Sequence, residues 1–390
     1  GILMRNFVSK VAAEIPPSGI RKFFDLVLTM DNDKVISLGV GEPDFDTPWN
    51  ISKAAITSIE KGLTMYTSNR GLPELCSALS KDLEQRYHTP YSPSEIIVTT
   101  GVSEGFDIAV RAVVNPGDEV IVVDPCFVSY KSEVIMAGGK PVSLPCEAKD
   151  QFKVTPDALM EKITQNSKTL IINFPNNPTG GVMGKDDLKA IADIIIDHDL
   201  LLISDEVYSE LTYEGSHVSA ASIDGLWERT ITLNGFSKAY AMTGWRLGYL
   251  CAPKEICDAA LKIHQYVMMS APTAAQFAAI EALKNAEDAK NQMVAEYRIR
   301  RNLFVKGLND VGLPCHLPKG AFYAFPSIEG TGLSDEEFAE RLLKEQQVAV
   351  VPGSAFGESG AGHIRTCYAV DRAKLTEAVR RIGVFVESLS

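Results

Sequence analysis

Between residues 95 and 253 short apolar runs recur at 96–98, 120–123, 170–172, 200–203, 231–233 and 247–250, most of them Ile, Val and Leu without polar alternation. An unbroken run of that kind suits a strand covered on both faces, because no position along it has to face water. Helical periodicity fills the intervals, for example over 185–197 and around 106–114. This succession predicts an α/β fold in which a mostly parallel central sheet is flanked by helices. After residue 254 the pattern changes to long helices, 254–269 and 286–308, followed by short strands around 321–326, 348–351 and 363–368. A smaller α+β domain is expected there. The expected division is an N-terminal segment with part of the small domain over 1–45, a large domain over 46–285, and a small C-terminal domain over 286–390.

In open α/β sheets, sites collect where strands end and loops lead into helices. The unusual residues of this chain fall at those places: Asp124 and Pro125, the stretch 173–180, Asp205, and the stretch 234–238.

Composition narrows the possible partners. Hydrophobic residues at 45% and charged residues at 23% are the profile of an ordinary globular protein. The 38 basic against 50 acidic residues give a net charge of −12, which opposes non-specific attraction to nucleic acid or anionic lipid. Any anion site must therefore be built locally. No apolar run approaches the roughly 20 residues that span a bilayer, and the first residues lack the pattern of a signal peptide, so a cytoplasmic location is expected. Seven cysteines without a C-x-x-C pair read as free thiols in a reducing compartment. Six histidines without H-x-H or H-E-x-x-H spacing make a metal centre unexpected.

Four stretches carry candidate chemistry. N-G-F-S-K-A-Y-A-M-T-G-W-R at 234–246 places Lys238 in a Gly/Ser turn after a buried strand, ahead of Arg246. Desolvation and a nearby cation both lower a lysine pKa and free its amine to attack a carbonyl. S-D-E-V-Y at 204–208 ends a strand with Asp205, either a helix N-cap or a buried carboxylate in need of a cation. F-P-N-N-P-T-G at 174–180 holds Asn177 extended before Pro178, as an ordinary turn or as a donor to a ligand oxygen. T-T-G-V-S-E-G at 99–105 is a strand-to-helix turn of the kind that offers N–H groups to a phosphate, with Ser103 alternatively a cap.

In this order and spacing, and with L-G-V-G-E-P-D-F at 38–45 and H-I-R-T-C-Y-A at 363–369, the chain resembles the fold-type I, class I aminotransferases that depend on pyridoxal 5′-phosphate (PLP). The resemblance implies that Lys238 holds the cofactor as a Schiff base and moves protons. It implies that Arg246, Ser237 and the N–H groups of Val102 and Ser103 hold the phosphate, and that Asp205 pairs with the pyridine nitrogen. Tyr208 and Asn177 would contact the phenolic oxygen, and Phe127 would stack on the ring. Arg365 is similar to the arginine that grips the substrate α-carboxylate, and Gly41 to a glycine whose backbone lies against the substrate, with Asn177 nearby.

Tyr66 matches a tyrosine that reaches the phosphate site of a neighbouring subunit, which implies a homodimer with shared sites. Dicarboxylate-specific relatives use a second arginine, and the stretch 262–273 has none, with Tyr266 near the expected place. The implied activity is ping-pong transfer of an amino group from an aromatic or other neutral L-amino acid to a 2-oxo acid such as 2-oxoglutarate. Aspartate or N-acetyl-diaminopimelate as donor, or carbon–sulfur β-elimination, are the alternatives.

Overall fold

The structure, a computed structural model, describes residues 3–30 and 33–390. Its first strand, β1 (Ile36–Ser37), precedes the strands of one large sheet: β2 (Ile96–Thr99), β3 (Glu119–Asp124), β4 (Lys140–Pro145), β5 (Ser167–Asn173), β6 (Leu201–Asp205), β7 (Thr230–Gly235) and β8 (Gly248–Cys251). These seven lie in the order β2-β8-β7-β6-β5-β3-β4. Only β8 runs against its neighbours in this sheet, pairing antiparallel with both β2 and β7. The mostly parallel sheet is thus as expected, and each of the six apolar runs falls on one of its strands to within one residue.

β4 was not anticipated from the pattern. Its positions are mostly half-exposed, and Pro141 and Pro145 interrupt it, as only the edge of a sheet allows. The helix Lys185–Asp197 has the expected bounds. The helix expected around 106–114 begins earlier, at Gly101, so its first turn is the 101–103 segment itself. The expected helix 254–269 stops at Val267, and an Ala-rich helix Thr273–Asn285, whose uniform composition gave no periodicity, packs against the helix Trp49–Glu60.

Towards the C-terminus the short strands are β9 (Tyr323–Ala324), β10 (Val348–Ala349), β11 (Val351–Pro352) and β12 (Ile364–Cys367). They form a β11-β12-β9 sheet and a parallel β1–β10 pair that ties the N-terminal segment to this region. One core surrounds the large sheet. A second joins Phe23 and Leu38 to the helix Glu287–Asp310, the short strands and the helix Arg372–Ser388, and takes in Tyr208, Leu211 and Tyr213. Packing therefore binds the loop after β6 to the C-terminal region, which is where the site lies. All seven cysteines are free thiols, and among the described residues no helix is long and apolar enough to cross a membrane.

Candidate active site

The C-terminal ends of β5, β6 and β7 open on a cavity of about 390 Å³ that is closed on the other side by the N-terminal segment and the small sheet. Gly41, Val102, Ser103, Phe127, Asn177, Asp205, Tyr208, Ser237, Lys238, Arg246 and Arg365 all line it.

Lys238 follows β7 in the turn after Gly235, and its Nζ donates to the carbonyl of Gly41 at 2.6 Å. Nζ also lies 5.7 Å from the centre of the Tyr208 ring. Burial brings the Lys238 ammonium down to about 8, and the charges of Arg365 and Arg246 act in the same direction. About a tenth of the population then carries a neutral, nucleophilic amine at pH 7, far more than for an ordinary lysine.

Asp205 closes β6, and the chain continues into a turn rather than a helix, so the N-cap alternative fails. Its Oδ2 accepts from the Tyr130 hydroxyl at 2.5 Å and its Oδ1 from the Val207 N–H at 3.2 Å. Burial pushes its carboxyl up to about 6 although both hydrogen bonds favour the anion. Both partners are neutral, and a cation brought into the cavity would relieve the cost of the buried charge.

Arg365 projects from β12 and is buried. Its Nη1 donates to Asn177 Oδ1 at 2.9 Å and its Nη2 to the Gly39 carbonyl at 2.7 Å, while Nε has no partner. The guanidinium carbon sits 4.6 Å from the centre of the Tyr323 ring and 4.7 Å from that of Phe356. A buried guanidinium held by neutral oxygens and aromatic faces is arranged to take a carboxylate.

At the same end of the sheet, after β2, the helix Gly101–Val113 points its first turn into the cavity. The N–H groups of Val102 and Ser103 have no intrahelical acceptors there. Gly101 has φ +72°, and a Cβ on it would lie 2.6 Å from Arg246 Nη2. Glycine is therefore required for the arginine to approach the helix end. Ser103 does not cap the helix, whose N-cap position is Thr100. Phe127 supplies an aromatic wall, and the Tyr208 hydroxyl lies 2.6 Å from that of Tyr323.

Sequence reasoning missed several residues here. Tyr130 stands beside Asp205, and Asn173 accepts from the Asn177 N–H at 3.0 Å and donates to the Asp205 carbonyl at 3.0 Å. Tyr323 pairs with Tyr208, and Glu133 lines the wall. Asn173 directly precedes F-P-N-N-P at a strand end, which was signal enough. Tyr130, Glu133 and Tyr323 had no local signature. Phe23 is buried in the C-terminal core, and its neighbour Phe24 faces the cavity. Tyr66 and Tyr266 do not reach this cavity within one chain and are 79% and 88% exposed.

A desolvated lysine beside a helix N-terminus and an arginine is an arrangement suited to a carbonyl compound that also carries an anionic group. The chain matches the profile described as Aminotransferase class I and II over residues 33–382 and belongs to that family. It is 47% identical over 372 residues to the aspartate aminotransferase of Pyrococcus abyssi, covering 94% of this chain and 95% of that one. To the aromatic-amino-acid aminotransferase 2 of Thermococcus litoralis it is 45% identical over 372 residues, with the same shares covered, 94% and 95%. Among solved structures, the aspartate aminotransferase from Thermus thermophilus with maleate superposes with a TM-score of 0.93 at 37% identity, covering 98% of this chain and 100% of that one.

The protein is thus an aminotransferase whose cofactor is pyridoxal 5′-phosphate. The residues present fit that cofactor. Asp205 lacks a cationic partner where a protonated ring nitrogen would supply one, Lys238 is a desolvated amine, and the Gly101–Arg246 contact shapes a phosphate cradle.

Proposed function

We propose that this aminotransferase moves an amino group from an aromatic or other neutral L-amino acid to a 2-oxo acid such as 2-oxoglutarate, by ping-pong turnover. PLP, when bound, supplies an aldehyde that condenses with amines and a protonated ring that accepts the electron pair of a breaking Cα–H bond. Val102, Ser103, Ser237 and Arg246 would bind its phosphate. Asp205 would accept the ring N–H and keep it protonated. Tyr208 and the Asn177 amide donate to the phenolic oxygen; Asn177 Oδ1 is engaged by Arg365, which leaves Nδ2 for this task. Phe127 stacks on the ring. Arg365 binds the substrate α-carboxylate, against the backbone of Gly41. Lys238 Nζ would take the proton from the substrate α-carbon and, as the conjugate acid, give it back at the carbon on the other side of the amino nitrogen, a 1,3-shift.

The observation that carries the substrate preference is the charge of the wall. Among the described residues that line the cavity, the cations are Lys238, Arg246 and Arg365, and each has a task. Ile20, Phe24, Val40 and Phe127 give the wall an apolar part, Ser129, Asn173 and Thr243 add only uncharged groups, and Glu133, pushed up to about 8 by burial, adds no positive charge. The short side chain of aspartate would leave its distal carboxylate buried unpaired at this wall at a cost of several kcal/mol, whereas an aromatic ring packs there; the longer 2-oxoglutarate is admitted by Lys22 turning in from the helix that carries Ile20 and Phe24. A homodimer belongs to this proposal: Tyr66 serves the partner's phosphate site, and Tyr266 contacts the substrate across the same interface. The named relatives divide between aspartate and aromatic donors, so the discriminating test is kcat/KM for phenylalanine, tyrosine, leucine, aspartate and N-acetyl-diaminopimelate with 2-oxoglutarate as acceptor. Aspartate preferred over phenylalanine by about tenfold, or about 1.4 kcal/mol of transition-state binding, would refute the preference.

A further inference from the structure

The end of β3 carries a second buried carboxylate, Asp124, for which the reaction has no use. It is wholly buried, with Oδ2 accepting from Lys131 Nζ at 2.5 Å and Oδ1 from the Ser359 N–H at 3.1 Å. Lys131 belongs to the helix Ser129–Met136 on the same side of the molecule. Ser359 belongs to the paired turns Gly353–Phe356 and Glu358–Gly360, which connect β11 to β12 in the small sheet. Gly357 closes over the carboxylate with φ +129°, and a Cβ on it would lie 2.3 Å from Asp124 Oδ1. The Cys126 N–H then donates to the Phe356 carbonyl at 2.9 Å.

These contacts converge on Phe356, whose ring centre is 4.7 Å from the Arg365 guanidinium. A buried ion pair is weak evidence for stability, because desolvation offsets most of its attraction. Its geometry here is better explained by what it fixes. We infer that Asp124 is a positioning residue: braced by Lys131, its carboxylate holds the 353–360 turns so that Phe356 covers Arg365, and it thereby sets affinity for the substrate α-carboxylate. This rests on the reading of Arg365 given above.

The test uses the holoenzyme with Lys131→Met, Lys131→Arg and Gly357→Ala, beside Arg365→Lys as a control. The readouts are KM for 2-oxoglutarate, the dissociation constant of 3-phenylpropionate, kcat, and cofactor affinity. Lys131→Met and Gly357→Ala should each raise KM and the 3-phenylpropionate constant about tenfold, with kcat within about threefold and cofactor affinity within about twofold. Lys131→Arg should restore the wild-type values. Substrate and cofactor affinity falling together would mean general loosening and overturn the inference. So would unchanged affinities in these variants while Arg365→Lys is weakened. An Arg365→Lys enzyme that binds 3-phenylpropionate normally would overturn the reading of Arg365 instead. Should Gly357→Ala fail to fold, the half-exposed position 131 decides alone.

Discussion

The Tyr130 hydroxyl donates to Asp205 Oδ2 at 2.5 Å, from a helix 75 residues earlier in the chain. The bond stabilises the Asp205 anion without neutralising it, so the carboxyl still titrates near 6 because of its burial. The acid is thus kept short of a cation until the cofactor arrives.

A pH signature follows. An acid whose pKa is raised on folding favours the folded apoprotein below its ordinary range near 4, and that advantage is lost as pH rises through about 6. A shift of about two units corresponds to about 3 kcal/mol. Asp205→Asn apoprotein should therefore gain stability over wild type, by up to that amount, between pH 4 and 7 in urea unfolding. With cofactor bound the order should reverse at pH 7, and turnover should fall by several kcal/mol of barrier. An unchanged pH dependence would mean that Asp205 bears no buried charge in the apoprotein.

Lys238 should react with the cofactor as an amine that titrates near 8. The rate of covalent attachment to the apoprotein is expected to rise with pH and level off above that value, because only the neutral amine attacks. Stopped-flow absorbance measures it, and a rise continuing towards the ordinary lysine range above 10 would show that burial does not activate this residue.

Gly101→Ala should weaken cofactor binding by at least about tenfold, since the new methyl displaces Arg246. Equilibrium dialysis of the cofactor checks this, and the left-handed backbone should separately lower the apoprotein's unfolding free energy by roughly 1–2 kcal/mol.

Arg365→Lys keeps the charge and loses the fork. Loss of one charge-assisted hydrogen bond, about 1.5–3 kcal/mol, should lower kcat/KM by roughly 10- to 100-fold for every amino acid tested. A loss confined to one donor would place Arg365 at the side chain rather than at the α-carboxylate.

Much of the large sheet was legible because strands covered on both faces cannot hide polar residues; β4, an edge strand with two prolines, and the Ala-rich helix Thr273–Asn285 lacked that constraint. Candidate site residues in contiguous motifs, such as Lys238 with Arg246 or Asn177 with its turn, were legible for a similar reason, since one loop brings several groups to one place. Tyr130, Tyr323 and Asp124 act through partners distant in sequence, and no local pattern announces such pairs. Tyr66 and Tyr266 are exposed within the single chain, and the roles proposed for them require a second copy.

Lys238 is the residue proposed to hold the cofactor. Borohydride reduction of the holoenzyme, followed by proteolysis and mass spectrometry, fixes the cofactor wherever it is attached. The expected result is a single pyridoxyl-modified peptide with the mass increment on Lys238, and none from Lys238→Ala. A modified lysine elsewhere, or equal labelling of the Lys238→Ala protein, would contradict it.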